Sequence, residues 1–441
     1  MTEIDLLTWL TSPQATEALD RARASRAPGT DPDPLGGITM LRRAFPMLTP
    51  DQCALAMTQA ELGERAVRRY GIDDRLFFTR DGLEQATRPL LAARRAGLIA
   101  ASGAARVADL TAGLGFDTLA MTRAGLAVTA VERSPQTAVL LAANVPAARV
   151  IVGDATDAGI LHEATAGLGP DDVVFIDPAR RDLAGRRSAD GTRAQSERDP
   201  QRWSPPWSFV VDLARTHRVC VKTTPGFKPD DVPAGWHAEW ISVGGVATEA
   251  CLWSFAAFDA PRRAVRFAGE SGGGSQVAVV EFGGPVPARR ADDAGRTDDA
   301  GRTDDAGRTD DAARRDLAVR AGTWVHDPDA AIVNAGLIDA LGTELGLTRI
   351  DAASTWLSSA APATSDFIRS YEVLDTLPSD PRPLKRALTA LDIGSITITG
   401  RGTGIDPDAL RRRLALTGTK LATIIIVVVA GRRVTLLAEP R

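Results

Sequence analysis

The sequence is poor in most of the residues that carry covalent or metal chemistry. Its 441 residues include 3 Cys, 4 His and 2 Tyr. Cys53, Cys220 and Cys251 are widely spaced, which excludes a disulfide framework and a CxxC metal site and fits a reducing cytosol. His162, His217, His237 and His326 stand apart, with no HxxxH pair and no Cys partner, so no metal site is expected. No Ser or Cys sits in a nucleophile elbow. Long apolar runs are missing too. The longest, Leu421 to Ala430, is far short of the ~20 residues that span a bilayer, so no membrane partner is expected. Its β-branched content reads as a buried strand. The N-terminus MTEIDLLTWL is acidic and lacks a basic region ahead of an apolar stretch, so no signal peptide is expected. Lysine is confined to Lys222, Lys228, Lys385 and Lys420; Arg supplies the rest of the 52 basic side chains.

What is present reads as globular. Hydrophobic residues at 44% and charged residues at 24% exclude wholesale disorder and a coiled coil. At ~150 residues per domain the length suggests about three domains. The net charge of -4 argues against a uniformly basic nucleic-acid binder, but most of it lies in one tract. Residues 292–315 repeat DDAGRT and hold eight Asp and five Arg. No residue there larger than Ala is apolar, so residues 291–315 are expected to be a disordered linker.

Residues 1–75 read as a small helical domain, with Leu6, Leu7 and Leu10 at helical spacing and a Pro- and Gly-rich loop from Pro28 to Gly37. Residues 76–260 alternate strands and helices. Apolar runs lie at Arg106–Leu110, Val128–Val131, Val150–Val152, Val173–Ile176 and Val219–Val221, which predicts an α/β fold with a parallel sheet covered on both faces. Ser134–Pro135 and Ser204–Pro205 both read as helix starts with Pro at the first position. Trp240–Val243 and Ala250–Phe255 are joined by a short connection that permits a hairpin. Residues 261–290 hold further short strands. Residues 316–441 form a second α/β unit, with helices at Ala330–Leu345, Pro383–Leu391 and Asp408–Leu416.

The most informative stretch runs from Val107 to Asp117, where a strand passes into a helix through Thr111 and a Gly113-x-Gly115 turn. It lacks the third glycine of a dinucleotide fingerprint, because position 118 is Thr, which argues against an NAD-dependent oxidoreductase. Four acids fall at strand ends: Asp109, Glu132, Asp154 and Asp177. Ligands of open α/β sheets bind beyond those ends. Together these residues resemble the class I S-adenosylmethionine-dependent methyltransferases, over about 106–256. The resemblance implies a Rossmann-like seven-stranded sheet with one antiparallel hairpin, and S-adenosylmethionine as cofactor. It implies that Asp109, Gly113 and Gly115 contact the methionine part, Glu132 the ribose hydroxyls and Asp154 the adenine, with Thr111 a further cofactor-binding residue.

Asp177-Pro178-Ala179-Arg180 resembles the (Asn/Asp)-Pro-Pro-(Tyr/Phe) motif of methyltransferases that act on exocyclic amines of bases. There the first side chain orients the acceptor, which is catalysis by positioning. The chain departs from the motif at Ala179 and Arg180. Arg stacks on bases and pairs with phosphate, so Asp177, Pro178 and Arg180 are the candidate catalytic residues. From 180 to 202 there are seven Arg against four acids, followed by Trp203 and Trp207. Basic residues beside flat aromatics suit a single-stranded nucleic acid, so Arg181, Arg186, Arg187 and Lys222 are candidate substrate contacts. Residues 323–441 resemble a THUMP-like domain, through Trp324–Pro328, Tyr371–Leu374, Gly394–Ile398 and Arg432–Leu436. THUMP domains bind RNA in modification enzymes. The expected function is a cytoplasmic methyltransferase acting on a base of tRNA or rRNA. A small-molecule or protein methyltransferase and a non-catalytic RNA-binding factor stay open.

Overall fold

The computed structural model describes residues 2–26, 34–73, 75–179, 199–268, 278–284, 321–401 and 403–441. The chain begins with four helices, α1 (Glu3–Leu10), α2 (Thr16–Ala24), α3 (Pro34–Ala44) and α4 (Pro50–Tyr70). Thr2 with Asp5, and Thr49 with Gln52, form capping boxes that satisfy the first free N–H groups of α1 and α4. The loop expected to run to Gly37 ends earlier, because α3 starts at Pro34, where a missing N–H costs nothing. Leu7, Leu10, Leu41 and Met57 share a core with Leu114 and Leu140 of the following unit. The N-terminal helices are therefore seated on the glycine turn.

Two helices, α5 (Arg80–Glu84) and α6 (Pro89–Ala101), lead into the large sheet. Strands β1 (Arg106–Asp109), β2 (Ala127–Glu132), β3 (Arg149–Val152), β4 (Val173–Ile176) and β5 (Arg218–Thr223) are parallel. Helices α7 (Phe116–Arg123), α8 (Pro135–Asn144), α9 (Ala158–Thr165) and α10 (Trp207–Leu213) connect them. The expected hairpin is β6 (His237–Val243) with β7 (Val246–Trp253), turning at Gly244 and Gly245 with positive φ; β7 inserts antiparallel beside β5. The sheet does not stop at seven strands. β8 (Arg262–Ala268) pairs parallel with the free edge of β6, and β9 (Ala278–Gly284) pairs with β8, giving the order 3-2-1-4-5-7-6-8-9. An edge as apolar as that of β6, with buried Trp240 and Ile241, is a liability that two added strands remove.

Ser134 caps α8 as expected, its hydroxyl accepting from the Thr137 N–H. Ser204 does not cap α10. That helix starts at Trp207, while Ser204 pairs with Ala179 and precedes a cis proline.

The C-terminal unit is a seven-stranded sheet of order 11-12-10-13-16-15-14. It contains β10 (Trp324–Pro328), α11 (Ala330–Asn334), α12 (Ile338–Leu345), β11 (Thr348–Arg349), β12 (Leu357–Ser359) and β13 (Ile368–Leu377). Then follow α13 (Pro381–Ala390), β14 (Ile393–Thr399), α14 (Pro407–Leu414), β15 (Lys420–Val429) and β16 (Arg432–Pro440). The single helix expected over Ala330–Leu345 is two, because Gly336 adopts φ 69° and ends the first. Ala331, Ile332, Leu337 and Ile338 of this segment pack in one core with Trp240, Ala250 and Ala264, so the two sheets are not separated by solvent. Among the described residues no helix is long and apolar enough to cross a membrane, and no three His, Cys, Asp or Glu are grouped to hold a metal. The repeat at 291–315 lies outside the described residues.

Candidate active site

Strand order reverses between β1 and β4, and a crevice at the carboxyl ends of the strands is expected there. A cavity of about 640 Å³ opens at that point, in the size range of small-molecule sites. It gathers Asp109, Thr111, Gly113, Glu132, Asp154, Asp177, Pro178 and Lys222. Gly115 is not among its lining residues. It opens α7 with φ 87°, and a Cβ there would lie 2.5 Å from Leu141 and 2.9 Å from Val145, so it serves the packing of α7 on α8.

Asp109 ends β1 and is fully buried. It accepts from the Thr118 hydroxyl at 2.6 Å and the Thr111 N–H at 3.2 Å. Burial pushes its carboxyl up to about 7, with the charges of Asp117 and Asp177 adding to the rise and the Thr118 hydrogen bond opposing it. Thr111 joins the two central strands, because its hydroxyl accepts from the Asp177 N–H at 2.6 Å. Glu132 accepts from the Gly113 N–H at 3.0 Å through one oxygen and from the Ser134 N–H at 2.7 Å through the other. A carboxylate has about four acceptor sites, so two remain for a ligand. Asp154 is exposed at the cavity rim, and its Oδ1 accepts from the Thr156 N–H and hydroxyl.

Deeper in, four buried charged side chains and the half-buried Asp177 form a network. Arg95 projects from α6 and is 1% exposed; it pairs with Asp117 and Glu249. Lys222, the next-to-last residue of β5, donates to Asp177 at 2.5 Å and to Thr87 at 2.8 Å, with Asp117 at 3.9 Å. Burial works against its charge, but Asp177, Asp117 and Glu249 outweigh it and raise its pKa. Burial likewise opposes ionisation of Asp117, and Arg95 and Lys222 overcome it, holding that carboxyl below its usual range. Burial raises Glu249, with Arg95 and Lys222 acting against the rise.

Among the described lining residues, seven are acidic (Glu84, Asp109, Asp117, Glu132, Asp154, Asp177, Glu249) and three basic (Arg88, Arg133, Lys222). Such a cavity favours a cationic ligand. Trp203 does not face an open groove, and Trp207 is partly buried against the same core. Trp203 is 4% exposed and packs with Trp207 and Phe227, so the aromatic pair belongs to the core. Arg180, Arg181, Arg186 and Arg187 lie outside the described residues.

Two proteins of Mycobacterium tuberculosis, from strains CDC 1551 / Oshkosh and ATCC 25618 / H37Rv, are each 34% identical to the chain over 364 residues. The alignments span 80% of this chain and 85% of theirs, and both relatives are described as uncharacterised S-adenosylmethionine-dependent methyltransferases. The chain belongs to the S-adenosylmethionine-dependent methyltransferases. Residues 368–440 of this methyltransferase match the family described as THUMP domain-like. A crystal structure from Porphyromonas gingivalis W83, described as a methyltransferase, shares the fold across 99% of this chain and 98% of its own, with TM-score 0.61 and 19% identity.

The cavity of the methyltransferase fits its donor. A Cβ at Gly113, at φ 56°, would meet no protein atom within 4 Å, so backbone is open to a ligand there. The acid excess suits a molecule that carries a sulfonium and an ammonium. Thr87, Arg95 and Asp117 were missed by reading motifs alone. Arg95 left a signal: it stands one turn from Leu91 and from Ile99 on the buried face of an apolar helix, where an unpaired charge does not survive.

Proposed function

We propose that this methyltransferase acts on RNA, with tRNA and rRNA as the substrate class. The observation that carries the reading is the THUMP domain-like match at 368–440, in a unit that packs in the same core as the sheet bearing the cavity. THUMP domains bind RNA in modification enzymes. The +3 stretch of residues 180–202 follows Asp177 directly in sequence and suits a phosphate backbone.

The donor, when bound, supplies a methyl group already activated as a sulfonium, so no covalent side-chain nucleophile is called for. In this reading Glu132 uses its two remaining acceptor sites on the ribose hydroxyls, and Asp109 receives the ammonium of the methionine part. Asp154 reaches the adenine. Asp177, with its side chain 27% exposed toward the cavity, orients the acceptor and takes its proton. The deciding experiment incubates the full chain and methyl-labelled S-adenosylmethionine with total RNA, total protein or a metabolite extract. Label is expected in the RNA fraction. Label only in protein or in metabolites would refute the RNA reading, and the acid-rich cavity would then serve another acceptor.

A further inference from the structure

We propose that the acceptor atom is a hydroxyl oxygen, which in an RNA substrate is the ribose 2′-OH. The inference rests on the RNA reading above and departs from the base acceptor that the likeness of Asp177-Pro178 to amine motifs suggests.

At the acceptor end of the cavity two groups of opposite kind stand together. The Asp177 carboxylate offers only hydrogen-bond acceptors, and the Lys222 ammonium offers only donors. They are 2.5 Å apart, and both line the cavity. Asp117 and Glu249 are also close, but each is paired with Arg95. Thr87 takes one of the Lys222 N–H groups at 2.8 Å. The pair that remains for a substrate is therefore Asp177 with Lys222.

A hydroxyl is both donor and acceptor, and it satisfies both members at once. An exocyclic amine donates to Asp177 but offers Lys222 nothing. The charge that develops during transfer separates the two more sharply. An amine nitrogen becomes positive as it gains a methyl group, next to a fixed ammonium. A hydroxyl oxygen becomes negative as it loses its proton, and the same ammonium stabilises it. In the step that follows, the acceptor O–H proton passes to the Asp177 carboxylate. The acceptor oxygen forms its bond to the methyl carbon while the carbon–sulfur bond breaks, and that bond's electron pair stays on sulfur. Asp177 then returns its proton to water. Lys222 keeps all its protons and acts by charge and hydrogen bonding.

The test uses the wild-type full chain, methyl-labelled S-adenosylmethionine and total RNA, followed by alkaline hydrolysis. Alkali cleaves RNA through the free 2′-OH, so a 2′-O-methyl group protects the adjacent linkage. Label is expected in alkali-stable dinucleotides. Label in mononucleotides would place the methyl on a base and overturn this inference while leaving the RNA reading intact. No label in RNA would overturn both. Lys222→Met is expected to slow transfer by about 10²–10³-fold, the usual effect of removing one donor from a developing oxyanion, with donor affinity unchanged and with Lys222→Arg retaining part of the rate. A Lys222→Met protein as fast as wild type would also overturn the inference.

Discussion

Asp109 carries a pH signature that a stability measurement can read. Its carboxyl stands at about 7 in the fold against 3.8 ordinarily. The folded state therefore holds this proton more tightly than the unfolded chain. The stability this contributes is full below about pH 4 and is lost as pH rises through about 7. Asp109→Asn has no proton to lose, so its melting temperature relative to wild type should climb between pH 4 and pH 8 in donor-free protein. A difference that stays constant across that window would contradict the assignment. Glu132 makes a second prediction at this scale. Glu132→Ala removes the carboxylate at Gly113 and should weaken donor binding about 10- to 100-fold by calorimetry, at about 1.5–3 kcal/mol for hydrogen bonds to a charged group. Unchanged affinity would remove Glu132 from the donor site. Asp177→Asn keeps a hydrogen-bond acceptor but not a base, and should lower transfer about 10²-fold or more while donor affinity holds. Equal loss of both would move Asp177 to the donor side. All three acids were legible in the sequence, because each follows a short apolar run whose β-branched residues predict a strand.

Between elements, the geometry rests on contacts that no local pattern announces. Asn144, the last residue of α8, accepts from the Phe77 N–H at 2.7 Å and donates to the carbonyls of Phe77 and Leu114. It ties the segment before α5 to the turn that carries Gly113. Asn144→Ala strands buried backbone groups and should cost about 2–4 kcal/mol in denaturant unfolding. Its signature would be a donor affinity that falls together with stability. Arg95 works in the same way through α6. Arg95→Ala leaves the carboxylates of Asp117 and Glu249 buried without their guanidinium, a loss on the order of 3–5 kcal/mol. A variant as stable as wild type would show the network to be expendable. Leu91 and Ile99 put Arg95 on the apolar face of α6, but nothing local names its partners, which lie 22 and 154 residues away in the chain.

The whole molecule is less divisible than its sequence suggests. The Asp-rich repeat and the change of pattern on either side of it read as a boundary between independent units. Yet α11 and α12 fill a core with β6, β7 and β8, and Asn334 donates to the Pro225 carbonyl at 2.8 Å, three residues beyond Lys222. Arg266 reaches Asp329 across the same junction. Cutting the chain after residue 284 would expose that apolar face and release the loop behind Lys222. The isolated 1–284 fragment is expected to melt well below the full chain and to aggregate, while the full chain unfolds in one calorimetric transition. A fragment with the parent melting temperature and donor affinity would show the junction to be incidental.

By itself the sequence determined the parallel sheet, the glycine turn at Gly113 and the acids at the strand ends. Each follows from a period-two or apolar pattern, a missing Cβ or a position after a short strand, and those constraints act over a few residues. Tertiary structure alone decided that Gly115 packs on Leu141 rather than facing the cavity, that Trp203 and Trp207 are core, and that the sheet extends to nine strands. It also decided that Lys222 stands beside Asp177, and that the C-terminal helices close the first core. Those outcomes depend on which distant surfaces meet, and burial makes a charge or a ring commit to its partners only once they do.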